Sequence, residues 1–253
     1  MVSKAKNQRP KTNDGSMILL AIDTSGKDGS IALARVPDAS GRQPASALAS
    51  SRIEIVDLIL LEGGTFSAQL VPQISGLLEM HGLSKRDLGA FAVASGPGSF
   101  TGLRVGLAAI KALAEVLKKP IAAVSRLEAI ARHALQNRPN DGRVLAALDA
   151  GRNEIYLGEY DLRDGAAHMI SERLVSRGEF LDQARVARVF TPDRSIAKPA
   201  REAGCVVEEI ERPTSEAIAR IGWEKIVSGE TISSEDLEAN YIRRSDAEIF
   251  AKK

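Results

Sequence analysis

The chain has 253 residues, of which 44% are hydrophobic, and a formal net charge of +1. This length and composition suffice for a buried core in one large domain or two small lobes, and the balanced charge gives no indication of nucleic-acid or anionic-membrane binding. Cys205 is the only cysteine, so no disulfide can form within the chain, which fits a reducing cytoplasm.

The first sixteen residues are polar and strongly basic. Their charged residues are Lys4, Lys6, Arg9, Lys11 and Asp14. Four bases against one acid give this segment +3 and leave −2 on the rest of the chain. We expect residues 1–16 to be a disordered tail rather than a signal peptide, with a basic arm that contacts tRNA as the alternative. No later run is long and apolar enough to span a bilayer.

Two stretches share a pattern of strand, aspartate, turn and strand. The apolar run 18–23 ends in Asp23, the run 144–149 ends in Asp149, and a turn and a second strand follow each acid. Aligning the two acids superimposes the hairpins, which predicts a duplicated unit and two similar lobes. Coincidence is the alternative, because the pattern is common.

Helices and strands alternate between the two hairpins, which indicates α/β layering around a mixed sheet. We predict helices at 65–81, 101–118 and 126–136, and strands at 91–94 and 120–124. A last helix begins near Pro213, and the chain from Gly229 onward is polar and irregular. The expected first lobe is 17–124, the second lobe is 125–212, and 213–253 is expected to pack back on the first lobe.

The segment 95–106 (SGPGSFTGLRVG) joins a buried strand to a long apolar helix and carries four glycines. It lacks the Gly-Lys-Ser/Thr ending of a P-loop, its third glycine is one residue late for a dinucleotide fingerprint, and Ser99 lacks the flanking glycines of a hydrolase elbow. A close-packed turn from strand to helix is therefore favoured. Such a turn lets a phosphate, a substrate or another helix approach the backbone.

Two helices have too few charged residues for surfaces that face water. No charge occurs from Gly63 to Leu78, and the 101–118 helix has only a narrow charged side. Because charge depletion is typical of protein interfaces, these helices predict a partner surface, with burial between the lobes as the alternative. The predicted surface consists of Phe66, Leu70, Ile74, Leu77, Gly98, Phe100, Gly102, Arg104, Val105, Gly106 and Ala109.

Three segments together resemble a known family. They are 18–25 (ILLAIDTS), 94–106 (ASGPGSFTGLRVG) and 148–156 (LDAGRNEIY). They are similar to the bacterial TsaB family, also called YeaZ, with a close match over 17–127 and 143–160. The resemblance implies the actin, hexokinase and Hsp70 fold, with duplicated RNase H-like lobes whose mixed sheets are flanked by helices.

The resemblance also implies a role in making threonylcarbamoyladenosine at position 37 of tRNA, in the cytoplasm. In that role the chain is a non-catalytic subunit that dimerises with and activates TsaD, works with the ATPase TsaE, and meets tRNA only indirectly. For the chain alone, a homodimer and a monomer both stay open. TsaD is itself similar, and its metal-binding histidine pair corresponds to Arg126 and Ile130 here, neither of which can ligate a metal.

Nucleotide binding is the remaining alternative. ATP-using members of this fold hold phosphates and Mg²⁺ at the two hairpins, and the matching residues here are Asp23, Thr24, Ser25 and Asp149. The two acids can equally bond backbone amides in their own turns. We expect no cofactor beyond weak nucleotide binding. The competing hypothesis for the function is a small Mg-ATP-dependent phosphotransferase.

Overall fold

The computed structural model describes residues 16–37, 53–63, 65–137 and 142–243. The first half of this region forms a five-stranded mixed sheet. Its strands are β1 (Ser16–Asp23), β2 (Gly29–Pro37), β3 (Glu54–Leu61), β4 (Leu88–Gly96) and β5 (Ile121–Ser125). They lie in the order β3-β2-β1-β4-β5, with β1, β2 and β3 antiparallel and β4 and β5 parallel to β1.

The second half forms a matching sheet. Its strands are β6 (Gly142–Gly151), β7 (Glu154–Arg163), β8 (Ala166–Ser176), β9 (Arg188–Thr191) and β10 (Val207–Glu209). They lie in the order β8-β7-β6-β9-β10 with the same parallel and antiparallel pairings as the first sheet. This equivalence confirms the predicted duplication and the actin and hexokinase type of fold, with two lobes of one topology.

Within the residues that the structure describes, three helices accompany each sheet at equivalent points of the chain. They are α1 (Phe66–Met80), α2 (Phe100–Leu117), α3 (Arg126–Asn137), α4 (Arg177–Ala184), α5 (Arg194–Glu202) and α6 (Ser215–Ser228), and a short 3₁₀ helix covers Lys85–Asp87. Helix α1 is continuous through Pro72, and Ser99 caps α2 by accepting a hydrogen bond from the Gly102 amide. None of the described helices has the length and apolar character needed to cross a bilayer.

The last helix of each lobe packs on the sheet of the other. Helix α3 follows β5 but packs against β6, β7 and β8, whereas α6 follows β10 and packs against β1, β2, β4 and β5. Helix α6 comes close to the first sheet because successive side chains of a strand point to opposite faces, and the face of β4 toward α6 carries only small side chains. In β4 the alanines Ala90, Ala92 and Ala94 face α6, while Phe91 and Val93 face α1 and α2 on the other side.

Beyond α6 the chain has little regular structure, and residues 232–243 form what we call the C-terminal strap. The strap begins with a bridge between Ile232 and Ile121 at the edge of β5. It then buries Leu237 in the core of the first lobe, with 1% of that residue exposed. Its end reaches the second lobe, where Ile242 packs against the core that contains α3.

Candidate functional site

The glycine-rich junction before α2 packs against the turn between β1 and β2. The Thr24 hydroxyl donates to the Gly102 carbonyl at 2.7 Å, and the Ser99 amide donates to the Ser25 carbonyl at 2.7 Å. A Cβ added to Gly98 would overlap the Ser25 carbonyl oxygen, and one added to Gly102 would overlap that of Thr24. The close approach that these glycines permit is therefore made by the chain itself.

This contact corrects part of the predicted partner surface. Gly102 and Gly106 are buried, Gly98 is half-buried, and a Cβ on Gly106 would collide with the Thr24 hydroxyl. As the sequence predicts, Gly102 and Gly106 leave one edge of α2 without side chains. The edge faces the β1–β2 turn, because a helix that starts directly after β4 lies beside the end of the neighbouring strand β1.

The end of β1 is a closed cluster of polar groups. Asp23 Oδ1 accepts hydrogen bonds from the Ser25 amide, at 2.8 Å, and from the Ser25 hydroxyl. Asp23 Oδ2 faces Nε of Arg126 at 3.6 Å, and Arg126 also donates to the Pro97 carbonyl at 3.1 Å. Burial lowers the pKa of Arg126, and the charge of Asp23 opposes that shift.

Asp149 has an equivalent place at the end of β6. Its Oδ1 accepts from the Gly151 amide at 2.8 Å, and its Oδ2 accepts from the Ser195 hydroxyl at 2.7 Å. Burial raises the pKa of Asp149, but these two hydrogen bonds and the charge of Arg177 outweigh it and leave the pKa below its usual range. Both strand-end acids thus bond the amides of their own turns.

A cleft of about 850 Å³ lies between the lobes. Its walls come from the β1–β2 turn, the junction before α2, the β6–β7 turn and the end of the C-terminal strap. Its basic residues are Lys27, Arg126, Arg152, Arg212 and Arg243, and its acids are Asp28, Asp149 and Asp193. Arg212 pairs with Asp193, and Arg243 pairs with Glu154, so much of this charge is already neutralised.

Arg126 and Ile130, the two positions that the resemblance matches to a metal-binding histidine pair, have no side chain that can ligate a metal. Arg126 is the buried partner of Asp23, and Ile130 is 1% exposed in the core of the second lobe. Within the described ranges, no group of three or more His, Cys, Asp or Glu side chains could hold a metal ion.

The apolar stripe of α1 belongs to the core. Phe66, Leu70, Ile74 and Leu77 are nearly fully buried against the first sheet. This corrects the expectation that they form a partner surface. The pattern is that of an ordinary core stripe, and what is unusual is the opposite side of the helix, which also lacks charge.

Helices α1 and α2 contact each other, and we call their outward sides the outer face. Its members are Ala68, Val71, Pro72, Ser75, Val105, Ala108, Ala109, Ala112 and Val116, all exposed or half-buried. Val105 and Ala109 come from the predicted set. Ala68, Val71, Pro72 and Ser75 were not predicted because the predicted set took the opposite side of α1, and Ala108, Ala112 and Val116 of α2 were also outside that set.

A small aromatic cluster lies at the N-terminal end of α2. The Arg104 guanidinium stacks 3.7 Å above the ring of Phe100, and its Nε donates to the Tyr241 hydroxyl at 3.1 Å. The rings of Phe100 and Tyr241 are 5.0 Å apart. Phe100 and Arg104 are exposed members of the predicted surface, whereas nothing in the sequence pattern linked Tyr241 to them across 137 residues.

Comparison with known proteins identifies the family. A family model described as "TsaD: tRNA N6-adenosine threonylcarbamoyltransferase" matches residues 64–220. The chain is 29% identical over 245 residues to the tRNA threonylcarbamoyladenosine biosynthesis protein TsaB of Bacillus subtilis, which covers 92% of the chain and 96% of that protein. It is also 29% identical over 188 residues to the Escherichia coli TsaB, which covers 71% of the chain and 81% of that protein.

A solved structure shares the fold. YeaZ from Pseudomonas aeruginosa superimposes with a TM-score of 0.63 at 24% identity, over 89% of this chain and 99% of that one. The family model covers more than half of the chain, and both TsaB relatives match the chain across most of their own length. The chain therefore belongs to the family that this model describes and, within it, to the TsaB/YeaZ proteins.

Proposed function

We propose that this protein is a non-catalytic subunit of the machinery that makes threonylcarbamoyladenosine at position 37 of tRNA, and that it binds and activates TsaD. Its TsaB relatives are named for the biosynthesis of this nucleoside. The observation that carries the proposal is that Arg126 is buried against Asp23 and that Ile130 lies in the core, at the two positions that the resemblance matches to the metal-binding histidines of TsaD.

The non-catalytic part of the proposal is supported by how the polar groups of the hairpins are used. Asp23, Thr24 and Ser25 bond one another or the junction before α2, and Asp149 bonds Gly151 and Ser195. A group that already has buried partners must lose them before it can bind a phosphate or a metal, which carries a desolvation cost. These residues hold the fold and do not take part in a reaction.

The docking part is supported by the outer face. Charged residues are scarce along α1 and α2, and Val71 and Val116 are largely exposed on a side of the lobe that a water-facing surface would fill with Lys and Glu. An interface of standard size buries about 800 Å² on each partner. Two helices of 15 and 18 residues side by side offer a surface of that order.

TsaD is the proposed occupant because it is related to this chain. The TsaD family model spans both α1 and α2, so TsaD has counterparts of these helices. Related faces can pack against each other about a pseudo-twofold axis, as identical faces do in a homodimer. A second copy of this chain is therefore the occupant expected when TsaD is absent, and TsaE joins the pair as a third component.

The proposed mechanism is scaffolding. A partner that packs on one lobe of TsaD restricts the motion of that lobe and holds its metal site in the productive arrangement, which raises the rate without adding a reacting group. This chain's contribution is then binding energy from the outer face. No step of the transfer is assigned to its own residues.

A second candidate is a Mg-ATP-dependent phosphotransferase. The observation in its favour is the 850 Å³ cleft between the lobes, where Lys27 and Arg152 are among the lining residues. Against it stand the occupied hairpin turns and the cation of Arg126 beside Asp23, where a Mg²⁺ ion would need an uncompensated acid.

The direct test is tRNA modification by TsaD, with TsaE and an activated threonylcarbamoyl donor supplied, in the presence and absence of this chain. Product that forms only when the chain is present supports the proposal. The chain without TsaD is the control and should give no product. Equal activity of TsaD with and without the chain would contradict the activating role and favour the phosphotransferase.

A further inference from the structure

The C-terminal strap makes contacts in both lobes. The Asn240 amide donates to the Ser95 carbonyl at the end of β4, at 2.7 Å, while its side chain donates to Glu172 of β8 at 2.6 Å. Arg243 donates to the Ala150 carbonyl in the β6–β7 turn at 2.8 Å. Twelve residues of chain therefore bridge the cleft from the first lobe to the second.

Glu172 is the point at which the strap meets both lobes. Besides Asn240 it accepts hydrogen bonds from the Ser125 hydroxyl at the end of β5 and from the Tyr160 hydroxyl of β7. Burial and the charge of Glu172 raise the pKa of Tyr160, so its hydroxyl keeps its proton and remains a donor. One carboxylate thus joins the first sheet, the second sheet and the strap.

The same strap runs along α2. Lys111 donates to the Glu235 carbonyl at 3.4 Å, and Ser234 donates to Glu115. At the other end of the helix, Tyr241 packs on Phe100 and accepts from Arg104. These contacts are exposed and lie beside the outer face, so a partner on that face would cover part of them.

We propose that the C-terminal strap couples docking at the outer face to closure of the cleft between the lobes. A partner that covers Arg104 and Tyr241 removes water from their contact, which strengthens the hydrogen bond and the stacking in the less polar surroundings. Because Arg243 is two residues further on, a fixed Tyr241 holds Arg243 on the β6–β7 turn. That the partner is TsaD rests on the function proposed above, but the coupling itself is a property of this chain.

The strap has the parts that such coupling needs. Leu237 anchors it in the core of the first lobe, and the residues beyond are held by side-chain and turn contacts that are exposed or part-buried. Contacts of that kind open at low cost, whereas a buried leucine does not. The coupling is also reciprocal: a cleft that is held closed presents Tyr241 to the partner, and so raises the affinity for it.

Hydrogen exchange measured by mass spectrometry tests the coupling in the free chain. In Tyr241→Ala we expect the amides of 150–154, in the β6–β7 turn of the other lobe, to exchange at least about fivefold faster. Amides of β1 report global unfolding and should be unchanged. Val186→Ala, an exposed apolar truncation away from the strap, is the matched control and should leave both segments as in the wild type.

Unchanged exchange at 150–154 in Tyr241→Ala would overturn the coupling. Equal acceleration in β1 and in 150–154 would also overturn it, because the strap would then contribute only to global stability. Tyr241→Phe retains the ring contact with Phe100 and loses the hydrogen bond from Arg104. It should give an intermediate rate.

Adding TsaD separates this inference from the proposed function. In the wild type, TsaD should slow exchange both in α2 and at 150–154, and in Tyr241→Ala only in α2. Protection of α2 alone in the wild type would overturn the coupling and leave the docking intact. If TsaD protects neither segment, the proposed function fails, and the comparison in the free chain still decides the coupling.

Discussion

Nε of Arg126 lies 3.6 Å from Oδ2 of Asp23, and both side chains are about nine-tenths buried. Asp23 ends the first strand of one lobe, and Arg126 begins the helix that packs on the sheet of the other. The pair therefore ties the two lobes together at the inner end of the cleft. It also gives Asp23 a buried cationic partner within the chain.

Asp23→Asn should destabilise the protein by about 3–5 kcal/mol, because it leaves the buried Arg126 without a compensating charge. Urea denaturation measures the change. The control is Asp161→Asn, which breaks a pair with Arg163 whose partners are 39% and 58% exposed. It should cost less than about 1 kcal/mol. Similar losses for both variants would mean that the buried pair contributes no more than a surface pair.

Gly102→Ala should reduce the free energy of unfolding by about 3 kcal/mol, because the added methyl overlaps the Thr24 carbonyl oxygen and the turn cannot move away cheaply. Gly76→Ala is the matched control in α1, where an added Cβ meets nothing within 4 Å. It should stabilise the protein by about 0.5–1 kcal/mol. A harmless Gly102→Ala would show that the junction does not depend on this close approach.

Val116→Glu should weaken binding to TsaD at least tenfold, or about 1.4 kcal/mol, because it buries a charge in the outer face. Isothermal titration calorimetry measures the affinity. Val186→Glu is the control, because Val186 lies outside the outer face. Its side chain is 88% exposed, compared with 74% for Val116. Both variants should melt like the wild type. Equal affinities of the two variants for TsaD would remove Val116 from the interface.

Mg·ATP at millimolar concentration should leave the melting temperature unchanged. A ligand at 100 times its Kd adds about 2.7 kcal/mol of stability, which a thermal melt detects readily. The hairpin residues that would hold phosphates already have hydrogen-bond partners, since Thr24 donates to Gly102 and Ser25 donates to Asp23, so no such gain is expected. A rise of several degrees that disappears when Mg²⁺ is chelated would favour the phosphotransferase.

The contact between His81 and Asp57 predicts a pH dependence. His81 Nε2 lies 2.8 Å from Asp57 Oδ2 and joins the end of α1 to β3. The hydrogen bond with His81 is the largest cause that lowers the pKa of Asp57 below its usual value of 3.8. A lowered acid pKa stabilises the fold above the unfolded value, and this stability is lost as the pH falls through the folded value.

Asp57→Asn should therefore melt below the wild type from pH 7 down to about pH 4, and the gap should close below that. Because both side chains are about one-third exposed, the gap should correspond to less than about 1 kcal/mol. Thermal melts of the two proteins across this range measure it. A gap that widens as the pH falls below 4 would have the wrong sign for this contact.

The fold could be predicted from the sequence because the patterns that indicate it involve residues close together in the chain. Apolar runs that end in Asp23 and Asp149 indicate strands and turns by themselves, and their repetition indicates the duplication that the strand orders confirm. The residue types at 126 and 130 likewise exclude metal ligation without any coordinates. The close match of the segment 94–106 to a known family needs only the order of its residues.

The candidate surface was predicted only in part, because exposure is a property of the folded chain. Periodicity located an apolar stripe on α1, and the same pattern fits a core stripe or an interface. The first sheet covers Phe66 and Leu70, which leaves Val71 and its neighbours to face outward. The pattern of apolar residues alone does not indicate whether the chain's own sheet or a partner protein covers them.

The amino-acid sequence by itself determined the duplicated hairpins and the residue types at 126 and 130, since each depends on residues close together in the chain. Only the tertiary structure decided that Gly102 makes room for Thr24 and that Tyr241 meets Arg104. Both contacts join residues far apart in sequence. The physical reason is that such contacts depend on how sheets and helices stack, and no local pattern of side chains carries that information.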